Sequence, residues 1–186
     1  NKKMNMKKED NTKEFAEIDY DRENRTGFPE VIYGETKTPE HSAKIAKKIY
    51  DNSNIFLITR TNNETYQEVL KYIPEAKFDS IAKMIWSSKK KIKLNGSVSI
   101  VSAGTSDIPI AKEVEITASL LGANVKLIND VGVTGIHRIL SKIEIIKKSD
   151  CIVVVAGMEG ALPTVVAGLV DKPVIAVPTS IGFGTG

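Results

Sequence analysis

The second half of the chain predicts a doubly wound α/β fold, with a parallel sheet as the middle of three layers. A small α/β subdomain precedes it. Three observations carry this. Apolar, β-branched runs recur about every twenty-six residues after Gly96, the size of a βαβ unit. One helix-period segment separates each pair. The runs are apolar almost throughout, as strands buried on both faces are.

In order, "SVSIVSAG" is the first strand. "IPIAKEVEITASLLG" follows with helical spacing and Gly122 as its stop signal. "NVKLIND" is a strand and "IHRILSKIEIIKKS" an amphipathic helix. "CIVVVAG" is a strand, "LPTVVAGLV" a helix and "KPVIAVPTS" a fourth strand. Right-handed crossovers then wind the sheet on both sides.

The first half is less regular. "PEHSAKIAKKIYDN" and "NETYQEVLKYI" predict helices, "NIFLITR" a strand, and "AKFDSIAKMIWSS" room for another. "DYDRENRTGFPEVIYGETKTPEH" has weak periodicity and many turn residues, and reads as a long ordered loop of the kind that carries function. Residues 1–95 hold 19 of the 26 Lys+Arg and 2 of the 13 glycines. The composition shift divides the chain into a mobile arm at 1–19, a subdomain at 20–95 and the doubly wound domain at 96–186.

Composition narrows the function classes. A net charge of +3 by itself argues neither for nor against nucleic acid; the basic cluster Lys89–Lys93 reads as a solvated connector, so no nucleic-acid partner is expected. The longest apolar run, 151–157, is too short to span a bilayer, and the Lys- and Asn-rich start has no signal-peptide core. A cytoplasmic location is the default expectation. Cys151 is the one cysteine, so neither an intrachain disulfide nor a cysteine metal centre is expected. With only His41 and His137 and no paired ligand spacing, no zinc site is expected either. The dinucleotide fingerprint, the P-loop and the G-x-S-x-G elbow are all absent.

Ligands of such sheets bind beyond the carboxyl ends of the strands. Four loops meet that edge: "AGTSD", "DVGVTGIHR", "AGMEGALP" and "PTSIGFGTG". They bring Thr105, Ser106, Asp107, Asp130, His137, Arg138, Glu159, Thr179 and Ser180. Ser106 or Asp107 taken alone is a helix cap, with Pro109 in the first turn. Glu159 alone is a solvated carboxylate, and His137 a helix-face histidine. Their coincidence in consecutive units points instead to a site, where helix N-termini also favour phosphate.

"SAGTSD", "DVGVTGIHR", "VVVAGMEGALPTVVAGLVDKPVIAVPTS" and "RENRTGFPEVIYGETKTPE" together resemble the pyridinium-3,5-biscarboxylic acid mononucleotide synthases of nickel-pincer cofactor biosynthesis. That family is similar to the aminoimidazole ribonucleotide carboxylase/mutases of purine synthesis. The resemblance implies carboxylation of nicotinic acid adenine dinucleotide at pyridine C5 by carbon dioxide or bicarbonate. Phosphoanhydride hydrolysis then releases AMP, with Mg2+ suited to the phosphates. A homo-octamer is implied as well.

The resemblance also implies roles. Glu159 would be the base, with Met158 beside the ring and Gly160 close to it. Ser106 and Asp107 would hold the ring carboxylate or the ribose, beside Thr105. His137 and Arg138 would meet the phosphate or the new carboxylate. Thr179 and Ser180 would line the pocket, and Arg22, Arg25, Glu30 and Lys37 would fold over the site or contact the adenylate.

Two positions depart from the related patterns. The purine mutases carry a histidine just before Leu-Pro, where this chain has Ala161. The expected nucleophilic thiolate lies in a motif resembling "MLNSCA" beyond "PTSIGFG", whereas Cys151 opens a strand at the sheet's amino edge. The expectation is therefore a domain without its C-terminal segment, impaired in the covalent step. The alternatives are a purine carboxylase/mutase and a non-catalytic nucleotide-binding regulatory protein.

Overall fold

The computed structural model describes residues 17–90, 93–157 and 160–180. The chain divides into two compact units. One runs through Phe78 and takes in Ile85–Lys89; the other holds Asp79–Met84 and everything from Lys90. Most of the mobile arm expected at 1–19 lies outside the described residues.

To the first unit belong α1 (Arg22–Thr26), β1 (Ile32–Tyr33), α2 (Pro39–Ser53), β2 (Ile55–Thr59), α3 (Asn63–Leu70) and all but one residue each, Asp79 and Met84, of β3 (Lys77–Asp79) and β4 (Met84–Ser88). Its sheet order is β1-β2-β4-β3, with β1 parallel and β4 antiparallel to β2. Helix α2 starts where the sequence signals a start: the Thr38 side chain accepts the His41 N–H at 3.2 Å, and Pro39 opens the helix. Asn62 caps α3 in the same way. Ala43, Ala46, Ile49 and Tyr50 pack against Phe56 and Ile58 of β2. The stretch expected to be a loop departs from that reading, because it contains α1 and β1. The two residues of β1 hold no legible alternation, and their strand character comes from pairing Ile32 and Tyr33 with Ile58 and Thr59. The segment expected to hold one strand holds two, β3 and β4, joined by a turn in which Asp79 accepts the N–H groups of Ile81 and Ala82.

The second unit has the predicted architecture. Its elements are β5 (Ser97–Ser102), α4 (Ile108–Leu120), β6 (Asn124–Ile128), α5 (Ile136–Ile146), β7 (Cys151–Ala156), α6 (Ala161–Ala167) and β8 (Val174–Pro178). All strand pairs are parallel, in the order β6-β5-β7-β8. Alternation along the strands builds two cores. Ile100, Val153 and Val155 face Ala111 and Val114 of α4. Val101, Ile152 and Val154 face Ile139 and Ile146 of α5 and Leu162 and Val166 of α6. Covered on both faces, β5 and β7 need the continuous apolar runs read in the sequence.

Cys151 pairs with Val98 at the start of β7, half-buried, at the amino edge of the sheet. At that edge Asp150 accepts the Ser97 N–H at 2.7 Å and its hydroxyl at 2.8 Å. The Ser97 hydroxyl and then its amide hold the Asp150 carboxyl below the usual carboxylate range.

Candidate active site at the carboxyl edge of the parallel sheet

The strand order reverses at β5: β6 lies on one side and β7 on the other. Connections leaving β5 and β7 diverge there and leave a crevice. A cavity of about 240 Å³ occupies it. The loop after β5 contributes Ala103, Gly104, Ser106 and Asp107 to its wall. The segment after β6 contributes Asp130, Gly132, Val133, Thr134 and Arg138. Ala156, Gly157, Ala161 and Leu162 close it from β7 and α6.

Backbone contacts set the wall. The Gly132 N–H donates to the Ala103 carbonyl at 2.8 Å, and the Val131 N–H to that of Ser102 at 3.2 Å. A Cβ on Gly132 would stand 2.9 Å from the Ala103 oxygen, so this approach requires glycine. The buried Ser102 hydroxyl donates to Asn129 Oδ1 at 2.8 Å, tying β5 to the end of β6.

Asp107 is buried, yet its side chain does not cap α4. Oδ2 accepts the Gly104 N–H at 2.9 Å and Oδ1 accepts the Thr179 hydroxyl at 2.7 Å. The cap expectation holds in another form: the Oδ2 bond to the Gly104 N–H caps the one-turn 3-10 segment, Thr105–Asp107, that precedes α4, rather than α4 itself.

Asp130 and Arg138 form an ion pair at 2.8 Å on the cavity wall. In the sequence Asp130 is legible as a loop carboxylate, with nothing local to mark a role. Its place just beyond a strand's carboxyl end is the signal that also picks out Asp107.

Among the other predicted residues, Ser106 lines the cavity and Thr105 is exposed outside its lining. His137 is exposed on α5 and is also not in the lining; its neighbour Arg138 is. Thr179 lies behind Asp107, and Ser180 is exposed. The Gly160 N–H donates to the Gly157 carbonyl at 3.1 Å. Met158 and Glu159 lie outside the described residues.

Arg22, Arg25, Glu30 and Lys37 belong to the first unit. Arg25 pairs with Asp19 and Asp21, and holds the Asp19 carboxyl below its ordinary range. Glu30 accepts the Asp19 N–H at 3.1 Å, and Lys37 donates to the Tyr33 carbonyl at 3.3 Å.

Among the described residues, no group of three or more His, Cys, Asp or Glu side chains could hold a metal, and no helix is long and apolar enough to cross a membrane. Asp130 is paired with Arg138, and among the described residues Asp107 belongs to no group of three or more carboxylates, histidines or cysteines, so the described wall does not fit a protein-held magnesium cage.

Two family models match the chain. One is described as a LarB/PurE-like N-terminal domain and covers residues 9–90; the other, described as AIR carboxylase, covers residues 97–185. The chain is also 39% identical over 180 residues to the uncharacterized protein MJ0165 of Methanocaldococcus jannaschii, covering 92% of this chain and 70% of the relative. Together the two matches run from residue 9 to residue 185, the carboxylase one over the parallel sheet and every loop of the cavity, so the chain belongs to the LarB/PurE-like family, with a carboxylase/mutase-type domain at its site.

Proposed function

We propose that the protein carboxylates the pyridine ring of nicotinic acid adenine dinucleotide at C5 and hydrolyses its phosphoanhydride. The products are pyridinium-3,5-biscarboxylic acid mononucleotide and AMP. The observation that carries this reading is the charge of the cavity wall. Among its described residues, two carboxylates, Asp107 and Asp130, stand against one guanidinium, Arg138. A net acidic wall favours a cationic pyridinium ring, and the guanidinium favours the phosphate or carboxylate that the same ligand carries. Ala161 on the wall supplies no imidazole where the purine mutases carry one, which argues against aminoimidazole ribonucleotide.

In the chemistry this implies, a thiolate adds to C4 of the pyridinium and makes C5 an enamine carbon. C5 attacks carbon dioxide, and Glu159 takes the C5 proton. The C4–S bond then breaks, restoring the aromatic ring and the thiolate. Water cleaves the phosphoanhydride. Arg138 binds an anionic group of the nucleotide, and Asp107, a poor partner for a ring carboxylate, accepts from ribose hydroxyls. Cys151, at the opposite edge of the sheet, is not placed to supply the thiolate. No step is routed through magnesium, which would arrive with the substrate phosphates.

The test supplies full-length protein with labelled bicarbonate and either the dinucleotide or aminoimidazole ribonucleotide. Label in the pyridine ring with release of AMP is expected. Label in the imidazole, or no incorporation with the dinucleotide, would overturn the reading.

A further inference from the structure

We propose that Thr179 is a positioning residue that acts on substrate only through Asp107. Its hydroxyl fixes the Asp107 carboxylate as the acceptor for a ribose hydroxyl in the cavity. This rests on reading the cavity as a ribonucleotide site.

Asp107 is one of the cavity's wall residues, whereas Thr179 is not. Thr179 follows β8, and its N–H donates to the Ala156 carbonyl at 3.0 Å, which extends the β7–β8 ladder by one bond. The ladder therefore fixes the Thr179 backbone. From there the hydroxyl donates to Asp107 Oδ1 at 2.7 Å, in the loop after β5. Strand β7 lies between β5 and β8, so this bond bridges its carboxyl end, where the chain is the small pair Ala156-Gly157. Oδ2 is held by the Gly104 N–H at 2.9 Å. Each carboxylate oxygen thus has one fixed donor and keeps further acceptor capacity. A threonine suits the task because its branched Cβ restricts χ1 and so presets the hydroxyl. The two residues are 72 positions apart, so the bond locks the first and fourth loops of the site together.

The experiment titrates full-length wild type, Thr179→Val and Thr179→Ser by calorimetry. The ligands are nicotinic acid mononucleotide and its 2′,3′-dideoxyribose analogue. Valine keeps the shape without the hydroxyl; serine keeps the hydroxyl. A donor to a charged acceptor is worth enough that Thr179→Val should weaken the ribonucleotide about tenfold. The dideoxy analogue should change less than about twofold, and Thr179→Ser should bind the ribonucleotide like wild type. Equal losses on both ligands would show a purely structural role and overturn the proposal, as would no loss on either. If the wild type binds and carboxylates aminoimidazole ribonucleotide instead, the functional reading falls. The same comparison on that nucleotide and its dideoxy form still decides Thr179. A wild type that binds no ribonucleotide overturns both.

Discussion

Asp130 holds the Arg138 guanidinium at 2.8 Å on the cavity wall, from a backbone in the left-handed region at φ 59°. Gly135 leaves the room the guanidinium takes, since a Cβ there would stand 2.6 Å from Nε. Aspartate is among the side chains that tolerate the left-handed region, so the turn holds this carboxylate on the wall at little cost.

The two members of the pair are predicted to act on different groups of the ligand. Arg138→Gln removes the cation and should weaken nicotinic acid mononucleotide by about tenfold or more. Asp130→Asn keeps the shape and tolerates the left-handed backbone, but takes one of the two carboxylates from the wall, so binding of the cationic ring should weaken, and by less at high salt. Because the pair is partly exposed, Asp130→Asn should leave stability within about 1 kcal/mol of wild type. Calorimetric titrations at low and high salt, with a denaturant melt of each variant, check all three outcomes.

Gly132 and Gly160 should respond to alanine for different reasons. At Gly132 the backbone, φ −58° and ψ 156°, suits alanine, but the added Cβ meets the Ala103 carbonyl at 2.9 Å. Backbone has to move, at about 1–3 kcal/mol, and the cavity wall moves with it. Gly160 has nothing within 4 Å of such a Cβ but sits at φ 67°, so Gly160→Ala costs about 1 kcal/mol of conformational strain. Urea melts should rank Gly132→Ala as the less stable, and nucleotide affinity should fall more in it than its stability loss alone accounts for.

Leu162 is buried in the α5/α6-side core and also lines the cavity. Leu162→Ala should destabilise by about 2–5 kcal/mol, toward the lower end if the enlarged cavity admits water. A denaturation curve gives the cost. A crystal structure of the variant would show whether the cavity has grown while the Asp107–Thr179 bond holds.

Asp150 sets an acid dependence far from the site. Its carboxyl is depressed in the folded state by the Ser97 hydroxyl and amide. A depressed carboxyl contributes stability that is fully present above its unfolded value, near 3.8, and is lost as pH falls through the folded value. Wild type should therefore exceed Asp150→Asn in stability at neutral pH, and the gap should close below about pH 4. Urea midpoints of both proteins between pH 7 and pH 3 measure it; a gap that stays constant with pH would contradict the assignment.

Much of the fold is legible in the sequence because its signals are local. Alternation and helical spacing mark β5 to β8 and α4 to α6 within windows of a few residues. Their regular succession implies the parallel sheet, and the apolar strands imply cover on both faces. That the four loops share one edge follows from the topology alone.

What the sequence could not decide depends on pairings between distant residues and on small rotations. Neighbours on a helix point about 100° apart, so His137 and Arg138 have different fates, and only the packing of α5 puts Arg138 on the cavity wall. β1 exists because β2 offers it a partner. Asp107 reads as a helix cap in its own segment and does cap the short turn there, but its other partner, Thr179, becomes a neighbour only when β7 and β8 stack beside β5. The sequence by itself determined the strands, the winding and the edge where a ligand would bind. The tertiary structure decided which side chains meet there, because hydrogen bonds between residues 72 positions apart are set by strand order and register rather than by any local pattern.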